Sequence, residues 1–205
     1  LELGQALARL GTDVHLFGRD HLVGPLTDPE LVALGRELFA NEFPVHWHAD
    51  ATIKRDGDEV VISWTNTDAD GKTGEPQEAR FDYLLAATGR RANVDKLGLE
   101  NTSLEFDERG VPIYDPLSMR AGDSDIFIAG DGTADLPLLH EAADEGRLAG
   151  ENAARFPHSY RRARRTPLGI VFTDPQIGMA GARHADLIAQ GIEFETGKVS
   201  YADQG

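Results

Sequence analysis

Cysteine is absent from the 205 residues. Without a thiol there is no disulfide framework, no thiolate metal site and no cysteine nucleophile within this sequence. Long apolar runs are missing too. None approaches the ~20 residues that a bilayer-spanning helix needs, and no basic-then-apolar leader opens the chain, so we expect no membrane insertion and a cytoplasmic location. Positive charge is scarce: 20 Lys and Arg stand against 35 Asp and Glu, a formal net charge of -15. That balance repels a phosphate backbone and argues against nucleic acid or anionic membranes as partners. The one dense basic run, Arg161 to Arg165, precedes a Thr-Pro break and reads as a linker or solvated face.

What is present is the make-up of a globular protein, with 40% apolar residues, enough for one large domain or two small ones. Residues 1–10 lack an initiator methionine and read as an apolar-periodic helix without an N-cap, so the chain is expected to begin inside an element, as an internal piece of a longer protein. Gly11 ends that helix and Thr12 to Phe17 reads as a buried strand. Thr27-Asp28-Pro29-Glu30 marks the start of a helix running to about Asn41. Strands are expected over Val45 to Ile53, Val60 to Thr65 and Arg80 to Ala87, with a tight turn at Arg55-Asp56-Gly57-Asp58 and a polar one over Thr67 to Gly74. Further on, Asp125 to Ala129 reads as a buried strand and Leu138 to Ala154 as a helix. A last unit has a helix near Ala182 to Gln190 and a strand over Phe194 to Val199.

The chemistry gathers where strand meets helix. Gly130-Asp131-Gly132 makes a sharp turn in which backbone N–H groups and a helix N-terminus favour an anionic or polar ligand, while Asp131 brings a carboxylate to the same place. A carboxylate does not readily hold phosphate, but it accepts hydrogen bonds from the hydroxyls of a ribityl or ribose chain. A polyol-bearing cofactor is therefore the better reading of this turn. His46 and His48 read as alternate residues on one strand face; two imidazoles could hold a metal, but no third ligand is visible and the surface reading is preferred.

Three stretches occur in order: Thr88-Gly89-Arg90, then Asp125-Ile126-Phe127-Ile128-Ala129-Gly130-Asp131, then Pro137-Leu138-Leu139-His140-Glu141-Ala142. In that order they resemble the pyridine nucleotide-disulfide oxidoreductases. Leu1-Glu2-Leu3-Gly4 resembles the helix after the dinucleotide fingerprint of that family, and Val171 to Gly178 resembles the start of its dimerisation domain. Within the family the wording is most similar to the dihydrolipoamide dehydrogenases. Glutathione reductase, mercuric reductase and soluble transhydrogenase stand as alternatives on the same scaffold, and a noncatalytic nucleotide-binding remnant as one from another class.

The resemblance implies an α/β fold of partial Rossmann-like FAD- and NAD(P)-binding domains plus the start of an α+β dimerisation domain. Residues 1–88 would be a truncated NAD(P)-binding domain, 89–165 the returning segment of the FAD-binding domain, and 166–205 the start of the dimerisation domain. Asp131 would bind the ribityl hydroxyls of FAD. Leu138, Leu139 and His140 would offer backbone N–H groups to the flavin pyrimidine edge, without need of the His140 side chain. Glu2 would face the nicotinamide end of NAD, and Gly89 would allow close backbone approach, with Arg90 and Asn93 tethering the loop. At position 92 the family usually places proline, and the alanine here is expected to loosen that loop. Where NAD-specific members place an acidic residue after the second strand, this chain has Phe17-Gly18-Arg19; Arg19 could meet a 2′-phosphate, which leaves NADP open beside NAD.

The same resemblance implies a homodimeric parent acting on a small-molecule or lipoyl-protein dithiol. It calls for a glycine-rich loop, a first FAD motif and a Cys-x4-Cys pair that are not in this sequence, and for a histidine-glutamate proton relay that His46, His48, His158 and His184 do not match. No catalytic residue is therefore assigned, and this chain alone is expected to be inactive.

Overall fold

In a computed structural model, which describes residues 1–68 and 70–201, the chain forms two compact units. One comprises Leu1–Ala86 with the chain from Ile170 onward, the other Ala87–Gly169. The fold is mixed α/β.

In the first unit, α1 (Glu2–Arg9) carries an acid in its first turn and a base in its last, as the helix dipole favours. Gly11, at φ +94°, lets the chain turn out of it. The segment 12–17, expected as a strand, pairs only at β1 (Leu16–Phe17), parallel to β2 (Val45–His46). The crossover between them is α2 (Pro29–Ala40), whose proline is pre-set for the first turn and whose N-cap Asp28 accepts from the Glu30 and Leu31 amides at 3.0 and 3.1 Å. Val23, Phe39 and Phe43 form the core under this β-α-β unit. Gly35 packs closely there: a Cβ would stand 3.0 Å from Val23, which would have to shift to admit it.

The strand expected over Val45 to Ile53 is broken: Trp47 and His48 separate β2 from β3 (Ala49–Asp56), and His48 lies in the left-handed region at φ +48°. β3, β4 (Glu59–Asn66) and β5 (Gln77–Phe81) form an antiparallel meander, closed at Asp56↔Glu59 by the glycine-containing turn that the sequence announces. Val61, Ile62 and Trp64 on β4 are buried. The polar turn after β4 includes Ala69, which lies outside the described residues; Thr67 and Thr73 bridge across it. β5 ends at Phe81, and Tyr83 to Ala87 joins no ladder, although its apolar character reads as a strand. A strand exists only through its neighbours' hydrogen bonds, and this segment has none among the described residues. β8 (Leu168–Val171), which leads in from the second unit, pairs with β9 (Ile177–Ala180), and α4 (His184–Ala189) follows. The strand expected over Phe194 to Val199 is absent: that stretch is exposed and unpaired apart from single side-chain contacts, and residues 202–205 lie outside the described residues.

The second unit contains the hairpin of β6 (Tyr114–Asp115) and β7 (Arg120–Ala121), a 3-10 turn over Gly130–Thr133 and the long α3 (Leu139–Arg155). Asp125 to Ala129 is not a strand. It runs extended beside the hairpin through one bridge, Arg120↔Phe127, and the bonds Ala121 N–H to Ile126 and Ile128 N–H to Met119 (2.9 Å each), too few for a ladder. Met119, Leu148 and Ala149 form one apolar cluster; Ala92, Val94 and Val111 form another. Ala92, where a looser loop was expected, is thus packed. Fully buried Asn152 ties α3 to the chain before β7 and after the helix, giving hydrogen bonds to the Ser118 and Tyr160 carbonyls and accepting one from the Tyr160 amide (2.8–2.9 Å).

Candidate functional site

The Gly-Asp-Gly turn of the second unit is held from beneath. Gly130 lies at φ +65°, and a Cβ on it would come within 3.1 Å of Ala142, so both conformation and close packing disfavour a side chain. Its amide donates to the Glu145 carboxylate at 2.7 Å, and Thr133 Oγ donates to the Gly130 carbonyl at 2.9 Å. Glu145 and Glu141 project from α3 and are almost fully buried. Arg164 answers them, 2.5 Å from Glu145, 2.9 Å from Asp135 and 3.8 Å from Glu141. Burial pushes the Glu145 carboxyl above its ordinary value, against the Gly130 amide and Arg164, which favour the anion. For Arg164 burial opposes the charge, but the carboxylates of Glu145 and Asp135 outweigh it and hold the guanidinium above its usual range. Only Arg164 of the arginine run is drawn inward; Arg161, Arg162 and Arg165 stay exposed, as expected of a solvated face, and meet Asp115 (3.1 Å), Glu151 (3.9 Å) and Asp144 (3.3 Å) at the surface.

Above this support, the half-exposed Asp131 carboxylate stands 3.1 Å from Arg90, whose guanidinium also donates to the Pro137 carbonyl at 2.9 Å. The two lie in a cleft of about 340 Å³ together with Arg91, Asn93 and Arg109. The structure therefore brings together Asp131, Arg90 and Asn93. Gly89 sits at φ +97° with nothing near it that a Cβ would meet, so only its backbone conformation calls for glycine. α3 begins without a side-chain cap, and its first-turn amides, Leu139 and His140 among them, have no acceptor within the helix. The Leu138 amide differs, since it turns back to the Leu136 carbonyl at 2.7 Å. The His140 ring is exposed, 3.8 Å from Glu141.

Glu2 belongs to the first unit, where its carboxylate accepts from the Phe172 amide at 2.6 Å. Gln5 continues this contact, donating to the Asp174 carbonyl (2.7 Å) and accepting from its amide (2.8 Å). Arg19, after β1, is exposed. His46 and His48 do not share a face: His46 Nε2 is 3.1 Å from His15 Nδ1, and His48 Nδ1 is 2.7 Å from His21 Nε2.

Fold and cleft together define a mixed α/β protein with a carboxylate on a glycine turn ahead of an uncapped helix, beside a cleft lined by three arginines. The family model described as pyridine nucleotide-disulphide oxidoreductase matches residues 1–146, and the chain belongs to that family. It is 33% identical over 203 residues to a mercuric reductase of Streptomyces lividans, covering 98% of this chain and 41% of that protein. It is 32% identical over 208 residues to a dihydrolipoyl dehydrogenase of Haloferax volcanii, covering 100% and 42%. Among solved structures it resembles LpdA from Mycobacterium tuberculosis with a TM-score of 0.72 at 27% identity, over 92% of this chain and 39% of that one. The flavoprotein disulfide reductase RclA from Escherichia coli, at 18% identity and a TM-score of 0.72 over 92% and 41%, shares the fold. The chain spans about two fifths of the length of these relatives. Among the described residues no helix is long and apolar enough to cross a membrane.

Proposed function

We propose that this chain is part of a flavoprotein that passes electrons between a dithiol/disulfide and NAD(H) through FAD, most like dihydrolipoamide dehydrogenase, with mercuric reductase as the alternative that similarity also favours. The observation that carries the reading is the pairing of Asp131 with an arginine-lined cleft. A carboxylate accepts from ribityl hydroxyls, and guanidinium groups are suited to the pyrophosphate of a dinucleotide. The donor set fits FAD. The amides of Leu139 and His140, at the positive end of α3, would face the flavin edge where negative charge gathers on reduction. Glu2 would orient the nicotinamide carboxamide and Gly89 would allow close backbone approach. FAD supplies hydride and electron transfer when bound, and this chain holds and orients it. Residues 1–88, 89–165 and 166–205 would then serve as parts of the NAD(P)-binding, FAD-binding and dimerisation domains of a homodimer, with NAD or NADP as coenzyme and a small-molecule or lipoyl-protein dithiol as substrate.

Titration of flavin fluorescence with FAD tests this. The 205-residue chain should bind FAD weakly, because it spans only part of the relatives' length, and Asp131→Asn should weaken that binding by about 10-fold or more, equivalent to one charge-assisted hydrogen bond of about 1.5–3 kcal/mol. Equal affinity in wild type and variant would remove Asp131 from the site.

A further inference from the structure

Away from the cleft, four of the first unit's five imidazoles stand in two facing pairs. His21 lies on the loop after β1 and His48 on the turn between β2 and β3. Their backbones are laced together: the His48 amide donates to Asp20 (2.9 Å), the Ala49 amide to Gly18 (2.8 Å), and the His48 carbonyl accepts from Thr67 (3.1 Å). These bonds hold His48 at φ +48°, a conformation rarely adopted by side-chain-bearing residues. With the loops so placed, His48 Nδ1 and His21 Nε2 stand 2.7 Å apart, the rings 73° from coplanar and their centroids 4.3 Å apart. A neutral imidazole carries one N–H and one lone pair, so at that distance an N–H···N hydrogen bond joins the two rings, and a metal ion that displaced this proton would find both nitrogens already facing each other.

We propose that His21 and His48 form a two-imidazole site for a divalent transition cation of the copper, nickel or zinc class, its remaining positions filled by water. Two nitrogens bound to zinc at about 2.0–2.1 Å with a tetrahedral angle stand roughly 3.3 Å apart, so the rings need open by only about half an ångström. Both rings are half-buried, so each keeps part of its surface open to solvent. With no cysteine in the sequence and no third His, Asp or Glu converging among the described residues, the protein supplies imidazole nitrogen alone. Such a donor set selects copper over nickel and zinc, and disfavours magnesium and calcium, which require oxygen. The net charge of -15 attracts any cation.

The other pair fits less well, although its 3.1 Å spacing is closer to that of two ligands. His46 is stacked on Phe17 (4.6 Å) and tilted against Trp64 (4.6 Å), and His15 meets Phe81 edge-on (5.1 Å), so a cation there would lie among rings that cannot provide its water ligands. Among the described residues, no aromatic ring but its partner's stacks on His21 or His48.

The test is copper titration of the purified chain, followed by electron paramagnetic resonance and by competition with a chelator of known affinity. One equivalent of Cu2+ with nitrogen splitting from two imidazoles is expected, unchanged in His15→Gln. His21→Gln and His48→Asn should each weaken binding by about 10–100-fold or more; asparagine tolerates the left-handed backbone, and His21→Gln leaves that backbone untouched, so the test survives if one variant misfolds. Absence of stoichiometric binding, binding that survives both substitutions, or its loss in His15→Gln would each overturn the proposal.

Discussion

Glu145 shows how much one side chain can organise. One carboxylate oxygen accepts from the amide of the glycine that shapes the Asp131 turn, and the other pairs with Arg164 at 2.5 Å. Removing the carboxylate leaves a buried amide without an acceptor, a loss of about 1–3 kcal/mol, and a largely buried guanidinium without its nearest partner, where broken pairs cost about 3–5 kcal/mol. Asp135 remains to hold Arg164, so the two losses do not add in full. Glu145→Leu should therefore destabilise the protein by about 3 kcal/mol in urea unfolding, within that range. Glu145→Gln keeps an acceptor for Gly130 and should cost less. A leucine variant within about 1 kcal/mol of wild type, the net value of an ordinary hydrogen bond, would mean that the turn holds itself.

At the scale of elements, Glu42, just past the end of α2, fastens α1. Its carboxylate accepts from Arg9 at 2.8 and 2.9 Å and from Gln5 at 2.8 Å. The Arg9 hydrogen bonds hold the Glu42 carboxyl below the usual range, against burial, with Gln5 assisting. A folded-state pKa below the unfolded value gives stability that is present above the unfolded value, near pH 4.5, and is lost as the pH falls through the folded one. Glu42→Gln should accordingly lie below wild type in melting temperature at neutral pH and converge with it on acidification, read by circular dichroism. A gap independent of pH would show that the charge contributes nothing.

The same elements mark what a linear sequence conveys. α2 was legible because its start signal, Asp28-Pro29, is local, and the Asp131 turn because two glycines flank a carboxylate ahead of an apolar-periodic helix. Tyr83 to Ala87 and Phe194 to Val199 were misread because strand character in a sequence says nothing of whether a neighbour is present to complete the ladder. His46 and His48 were placed on one face by assuming an unbroken strand; the left-handed residue between β2 and β3 turns them toward different partners. Arg164 was hidden within a run of like residues, since only the fold decides which arginine meets a buried acid. Glu145 carries no local signal, because its role is a contact made across a turn of chain.

For the molecule as a whole, the excess of acids sets a balance that salt can shift. Exposed ion pairs such as Arg80 with Asp56 and Glu59 (2.8 Å each) stabilise the fold by only about 0–1 kcal/mol each. Against them stands the mutual repulsion of a net -15 confined to a folded chain, which destabilises the compact state relative to the expanded one. Raising sodium chloride from about 10 mM to about 150 mM shortens the Debye length from about 30 Å to about 8 Å. That change removes mostly the long-range repulsion and leaves contacts at 2.8 Å less affected. The melting temperature should rise, by about 2–4 °C for each 1 kcal/mol of relieved repulsion in a chain of this size. Chloride is the salt to use, because sulfate would stabilise through exclusion from the surface whatever the charge. A fall in melting temperature over the same range would mean that the ion pairs, taken as a network, outweigh the repulsion they are embedded in.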